Sequence, residues 1–236
     1  MPIVVFLAGL LLVVFASRTL WVHWREDVTA RNEYEDLRSD FESAARPPSP
    51  ELPSAEAPPH RIDMSGFSAL NSDFVGWISI PGTAVSYPIV QGADNDHYLD
   101  TTFRGEPNPA GAIFMDYRMG QAFDTPITML HGHNMRDGSM FASLHSFLDP
   151  AFLRDYSLIT VVTAEGETLV YEVFAARRMS AWDPIYSLDF NDAVTLELFA
   201  EAPAGTGRVL LLSTCASGGD HNARVVVYAA LQGGGS

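Results

Sequence analysis

The chain uses cysteine once, at Cys215, where the apolar run "VLLLSTC" ends. A thiol there is either a small buried hydrophobe or a nucleophile, and the polar, Gly-rich "ASGGDHN" that follows indicates that the chain leaves the core at this point. Arg224 opens the next apolar run, "RVVVYAAL", so one short loop separates a thiol from a guanidinium. If the two runs are neighbouring strands, both side chains can face one site. The third element is "MLHGHNMRDGSMF", in which His131 and His133 follow a strand end on a tight Gly turn. A cysteine nucleophile needs a proton acceptor or ion-pair partner and a group that holds a developing oxyanion, and His133 and Arg224 have the chemistry for those roles.

Two histidines on one side of a persisting strand would also suit zinc. A third ligand would have to come from scattered His97, His145, Asp116 or Asp137, without the helical HExxH spacing, so neither a metal nor a cofactor is expected. A single cysteine likewise excludes an internal disulfide and the paired-cysteine zinc and redox motifs. Taken one at a time, His97, His131, His145 and His221 read as surface or hydrogen-bonded structural residues.

These side chains need strands to hold them. From Ile62 onward the sequence turns to short alternating or apolar runs punctuated by Gly, Pro, Asn and Asp, the mark of a mostly β domain. Strands are expected in "GWISIPG", "VSYPIVQG", "AIFMDY", "ITMLHGH", "SLITVVTAEG", "TLVYEVFAARRMS", "RVLLLSTC" and "ARVVVYAAL", and eight at this spacing suit a barrel or a sandwich. A short helix is expected near Ser65 to Asn71, and two helical interruptions at "MFASLHSFLD" and "DFNDAVTLELFAEA". No internal repeat is present.

At 236 residues the chain has room for one domain with appendages. Its formal net charge of −15, from 29 acidic against 14 basic residues, repels polyanions and argues against nucleic acid as a partner. The continuously apolar Ile3 to Ala16, extended by Leu20, Trp21, Val22 and Trp24, reads as a single-pass membrane anchor over residues 1–24, with a signal peptide as the competing reading. Arg18 and Arg25 follow the run, so the positive-inside rule on its own favours a cytoplasmic body. Residues 25–61 read as a short, mostly solvated acidic helix with Tyr34, Leu37 and Phe41 at helical spacing, then a Pro-rich spacer, "RPPSPELPSAEAPPHR". The body then runs over 62–232 and a flexible Gly-rich tail over 233–236.

Four motifs in order, "NSDFVGWISIPGTAVSYPIVQGADNDHYLD", "GAIFMDYR", "HGHNMRDGSMFASL" and "LSTC" followed by "ARVVVYAAL", resemble those of the sortases, specifically class B. The resemblance covers the body from about Ser65 to Leu231. It implies an eight-stranded sortase-type β-barrel with N-terminal helices and a helix between the sixth and seventh strands, where "DFNDAVTLELFAEA" falls. It also implies a membrane-anchored transpeptidase of Gram-positive type, with an extracellular catalytic domain. His133, Cys215 and Arg224 fall on the family's catalytic histidine, cysteine and arginine. Such an enzyme cleaves a C-terminal sorting signal of a secreted protein after Thr through a Cys thioester. It passes the acyl group to an amine of a peptidoglycan precursor or to a pilin lysine. Ser213, Thr214 and His131 are expected as supporting residues; His131 stands where relatives are often aromatic or small, and Leu211 replaces a frequent threonine. The hydroxyls of Ser213 and Thr214 are expected to satisfy local backbone groups, and Tyr117 and Arg118 to be structural or groove-lining. A cysteine–histidine wall hydrolase and a non-catalytic surface-binding barrel are the alternatives.

Overall fold

The computed structural model describes residues 2–46, 61–120, 123–187, 198–216 and 222–233. Its strands are β1 (Phe74–Ser79), β2 (Ser86–Val90), β3 (Ile113–Met115), β4 (Ile127–His131), β5 (Leu158–Thr163), β6 (Thr168–Ser180), β7 (Val209–Cys215) and β8 (Ala223–Leu231). They close into a barrel in the order β1-β2-β3-β4-β7-β8-β6-β5, which decides between the barrel and the sandwich. Each of the eight expected runs holds one strand. Two neighbouring pairs, β2 with β3 and β4 with β7, are parallel, and the remaining neighbours are antiparallel.

Alternation explains the unbroken apolar runs of β7 and β8. Along β7, Leu210 and Leu212 enter the main core with Trp77 and Ile113, whereas Val209 and Leu211 join a second cluster with Met129, Val226, Tyr228 and Leu198. Successive side chains point to opposite faces, so a strand covered on both faces is apolar throughout. Full burial of each large side chain is worth about 1.5 to 3 kcal/mol.

Helices α1 (Pro2–Ala45), α2 (Ser65–Leu70) and α3 (Pro150–Asp155) accompany the barrel. "MFASLHSFLD" contains a 3-10 segment, Ala142–Leu148, and a second, Pro184–Tyr186, follows β6. The helix expected over "DFNDAVTLELFAEA" lies largely outside the described residues; its described end is helical at 198–201. Residues 47–60 of the Pro-rich segment and 234–236 of the tail also lie outside them.

The short solvated helix expected after Glu26 is the second half of a longer one, and it is packed. Ala30, Tyr34 and Leu37 are buried, and Phe41 stacks on Trp77 at 4.5 Å between ring centroids. The Tyr34 hydroxyl donates to the Gly111 carbonyl at 2.6 Å and accepts from the Phe103 N–H at 3.3 Å. Gly111 has φ +57°, and a Cβ there would lie 2.4 Å from the Tyr98 carbonyl oxygen, so only glycine fits.

The single-pass anchor, and with it the membrane location, is corrected by the structure: among the described residues no helix is long and apolar enough to cross a membrane. The physical reason is length. The unbroken run from Ile3 to Ala16 reaches only about 21 Å at a helical rise of about 1.5 Å per residue, against a hydrocarbon core of about 30 Å. Beyond it Ser17, Arg18 and Thr19 interrupt the pattern.

Replacing Tyr34 with Phe leaves the Gly111 carbonyl without its buried donor, and is expected to lower unfolding free energy by about 1 to 3 kcal/mol. Leu37→Ala, which opens a void at a fully buried position, is expected to cost about 2 to 5 kcal/mol. Urea denaturation of the full chain followed by circular dichroism measures both, and unchanged midpoints would show that α1 does not dock on the barrel.

Candidate active site

Strand parity brings the site together. In the parallel β4–β7 pair Met129 lies opposite Leu211 and His131 opposite Ser213. In the antiparallel β7–β8 pair Ser213 lies opposite Val226 and Cys215 opposite Arg224. Residues directly opposite, and residues two apart on a strand, share a face. His131, Ser213, Cys215 and Arg224 therefore continue the face of the second apolar cluster past the point where it ends. There the barrel rim carries a cavity of about 320 Å3, and all six residues singled out from the sequence line it: His131, His133, Ser213, Thr214, Cys215 and Arg224.

Cys215 is exposed, although every other residue of β7 is buried. Its backbone is held from several sides. The Cys215 carbonyl accepts from Asn134 Nδ2 at 3.1 Å and from His145 Nε2 at 3.0 Å, and the Ala216 N–H carries the ladder to the Ala223 carbonyl at 2.9 Å.

His133 reaches the rim through Gly132. The Gly132 N–H donates to the Ser213 carbonyl at 3.2 Å, which prolongs the β4–β7 pairing. A Cβ on Gly132 would meet Ile113 at 2.5 Å and the Phe141 ring at 2.8 Å, so the chain passes here only without a side chain. The half-buried His133 ring then lies with Nε2 2.6 Å from the Leu99 carbonyl oxygen. A carbonyl only accepts, so this nitrogen carries a proton and Nδ1 is the atom left to give and take another.

The supporting residues differ from expectation in their partners. Ser213 bonds the Tyr186 hydroxyl at 2.7 Å instead of a backbone group. Burial, opposed by that hydrogen bond, pushes the Tyr186 phenol up to about 12, so Tyr186 is neutral. Thr214 Oγ1 is buried and makes no hydrogen bond among the described residues. Leu211 is wholly buried in the second cluster. His97 is exposed and meets the edge of Tyr98, while Asp220 and His221 lie outside the described residues.

His131 is held by Asp116, its Nε2 lying 3.3 Å from the carboxylate. Asp116 is fully buried and also accepts from Asn95 Nδ2 at 2.8 Å and from Arg118 Nε and Nη2, each at 2.8 Å. Burial alone would raise its carboxyl, but the bonds from Arg118, His131 and Asn95 outweigh that effect and hold it well below the usual carboxylate range. Asn95, Leu99, Asn134 and Tyr186 carry no role in the sequence reading, and Asp116 and His145 enter it only as candidate third ligands of a zinc site, His145 also as a surface or hydrogen-bonded structural residue. The one local signal was an acid two residues before an arginine at the end of an apolar strand, "MDYR".

The family model described as Sortase domain matches residues 78–232. The chain is 32% identical over 184 residues to Sortase B of Listeria monocytogenes, covering 72% of this chain and 74% of that protein. The crystal structure of sortase B from B. anthracis in complex with AAEK1 superposes with a TM-score of 0.70 at 30% identity, over 88% of this chain and 98% of that one. A Staphylococcus aureus sortase B–substrate complex superposes with a TM-score of 0.72 at 26% identity, over 89% and 100% of the two chains.

Because the Asp116 carboxyl is depressed in the folded state, its bonds add stability above its unfolded pKa, and that stability is lost as pH falls toward the folded value. Asp116→Asn is therefore expected to flatten the loss of stability on acidification below about pH 4. Thermal melts of both proteins across a descending pH series provide the comparison, and parallel curves would mean that Asp116 ionises in the folded chain as it does in the unfolded one.

Proposed function

The chain belongs to the sortase family as a class B member, a cysteine transpeptidase, and we propose that Cys215, His133 and Arg224 carry its reaction. The observation that supports this assignment is the Cys215–Arg224 cross-strand pair in a cavity that His133 also lines. The Cys215 thiolate attacks the carbonyl carbon of a threonine in a sorting signal near the C terminus of a secreted protein. Arg224, with backbone N–H groups, steadies the oxyanion. As the C–N bond breaks, imidazolium His133 protonates the departing amine, and a thioester remains on Cys215. With Nε2 held by the Leu99 carbonyl, Nδ1 is the atom that exchanges this proton.

In the second half-reaction an amine nitrogen attacks the thioester, the C–S bond breaks, and neutral His133 accepts the proton. The thioester retains the free energy of the broken peptide bond, so a new amide forms without a nucleotide. The acceptor is an amine of a peptidoglycan precursor or a pilin lysine. The S. aureus sortase B–substrate complex supports a substrate seated on this fold. A cysteine attacks as its thiolate, and the Arg224 guanidinium belongs to the residue directly opposite Cys215.

Incubating the protein with a panel of sorting-signal peptides is expected to yield an acyl adduct on Cys215 by mass spectrometry, which diglycine or a diamino acid discharges as a new amide. Cys215→Ala is expected to abolish the adduct. His133→Ala and Arg224→Ala are expected to slow its formation by about 100-fold or more, the range for losing a proton-transfer or oxyanion group. Release as free acid despite abundant amine would favour a hydrolase, and peptide binding without an adduct in the wild type would favour a non-catalytic barrel.

A further inference from the structure

Arg118 lines the cavity without being one of the proposed catalytic groups, and its donors are largely committed. Nε and Nη2 reach Asp116, while Nη1 donates to the Ser187 carbonyl at 2.9 Å and Nη2 to the Tyr186 carbonyl at 3.2 Å. A guanidinium has five N–H donors, and one whose charge already faces a buried carboxylate is poorly suited to capture a ligand anion. It is well suited to join two parts of the fold.

The parts joined are the end of β3 and the segment that leaves β6. Ala181 and Tyr186 of that segment line the cavity beside Cys215. The segment is tied at its start, where the Ala181 N–H donates to the Asn222 carbonyl at 2.6 Å, and is stiffened by Asp183, whose carboxylate accepts from the Ile185 N–H at 3.1 Å. Arg118 ties its end. Both of the Arg118 acceptors there are backbone carbonyls, so the tie fixes the course of the main chain whatever side chains the segment carries. Trp182, 82% exposed, rides on the held segment.

We propose that Arg118, locked in place by Asp116, is a positioning residue: it latches residues 181–187 as one wall of the peptide groove and so sets the affinity for the acyl donor instead of the rate of the chemistry. The proposal rests on the transpeptidase reading for its substrate. Its geometry stands independently of that reading. Lysine cannot substitute, because a point charge does not reproduce a fork that spans a carboxylate and two carbonyls.

The test uses Arg118→Ala and Arg118→Lys in the full chain, with a peptide that acylates the wild type. Arg118 is 36% exposed, so both variants are expected to fold. Each is expected to raise KM about tenfold while kcat stays within about twofold, the pattern of lost binding common to ground and transition states. Iodoacetamide is expected to alkylate Cys215 at the wild-type rate. Backbone amides of 183 and 185–187 are expected to exchange hydrogen faster, with those of β7 unchanged. An unchanged KM, a fall confined to kcat, or unaltered exchange in those amides would overturn the latch. If no peptide acylates the wild type, it is the transpeptidase reading that fails, and the exchange measurement still decides whether Arg118 holds the segment.

Discussion

The site depends on one constraint, the register in which β7 is held between β4 on one side and β8 on the other. Parallel pairing with β4 puts the ends of the two strands at the same rim of the barrel, so the turn that carries His133 emerges beside Cys215. Antiparallel pairing of the same strands would place them at opposite rims. On the other side, antiparallel pairing with β8 returns the chain so that Arg224 stands opposite Cys215. A slip of one residue would turn Cys215 to the face now held by Leu212 and Thr214, toward the barrel interior. The two apolar clusters, one on each face of β7, oppose such a slip, because it would exchange their contents.

The loops at that rim are also held by α1. Glu33 accepts from the Arg104 N–H at 2.9 Å, Asn108 Nδ2 donates to the Glu26 carbonyl at 2.8 Å, and Tyr34 donates to Gly111. These bonds anchor the connection between β2 and β3, which also carries Leu99, the acceptor for His133. On the far side of His133, Arg31 meets Asp137 at 3.3 Å. That pair is largely exposed and is worth at most about 1 kcal/mol, whereas a buried backbone group left without its partner costs about 1 to 3. The hydrogen bonds to buried backbone therefore do most to couple α1 to the histidine.

Local pattern made the barrel legible. Strands β7 and β8 showed as apolar runs with Gly and Asn between them, and the parity of Cys215 and Arg224 followed once the runs were taken as neighbours. The spacing of Tyr34, Leu37 and Phe41 marked the face of α1 that packs, but not what it packs against, since Trp77 and Gly111 lie far along the chain. Asp116 was illegible for the same reason: its partners Asn95 and His131 come from other elements, and a lone acid in a strand does not announce a buried hub. The membrane anchor failed differently. Its apolar stretch was extended across Ser17, Arg18 and Thr19 to reach spanning length, when the unbroken part stops at Ala16.

The buried acid also sets the charge balance of the cavity that Cys215 lines. Among the described residues four cationic or protonatable side chains line the cavity, Arg118, His131, His133 and Arg224, in a chain whose formal charge is −15. Asp116 is the one carboxylate among the described lining residues, and Arg118 grips both of its oxygens. Asn95 and His131 bond the same carboxylate, so its charge is met from three sides within the cavity wall. Paired with Arg118, its field is largely cancelled before it reaches the thiol. The Asp116–Arg118 pair thus serves the course of the main chain at 186 and 187, while the guanidinium directly across the strand pair from Cys215 is that of Arg224.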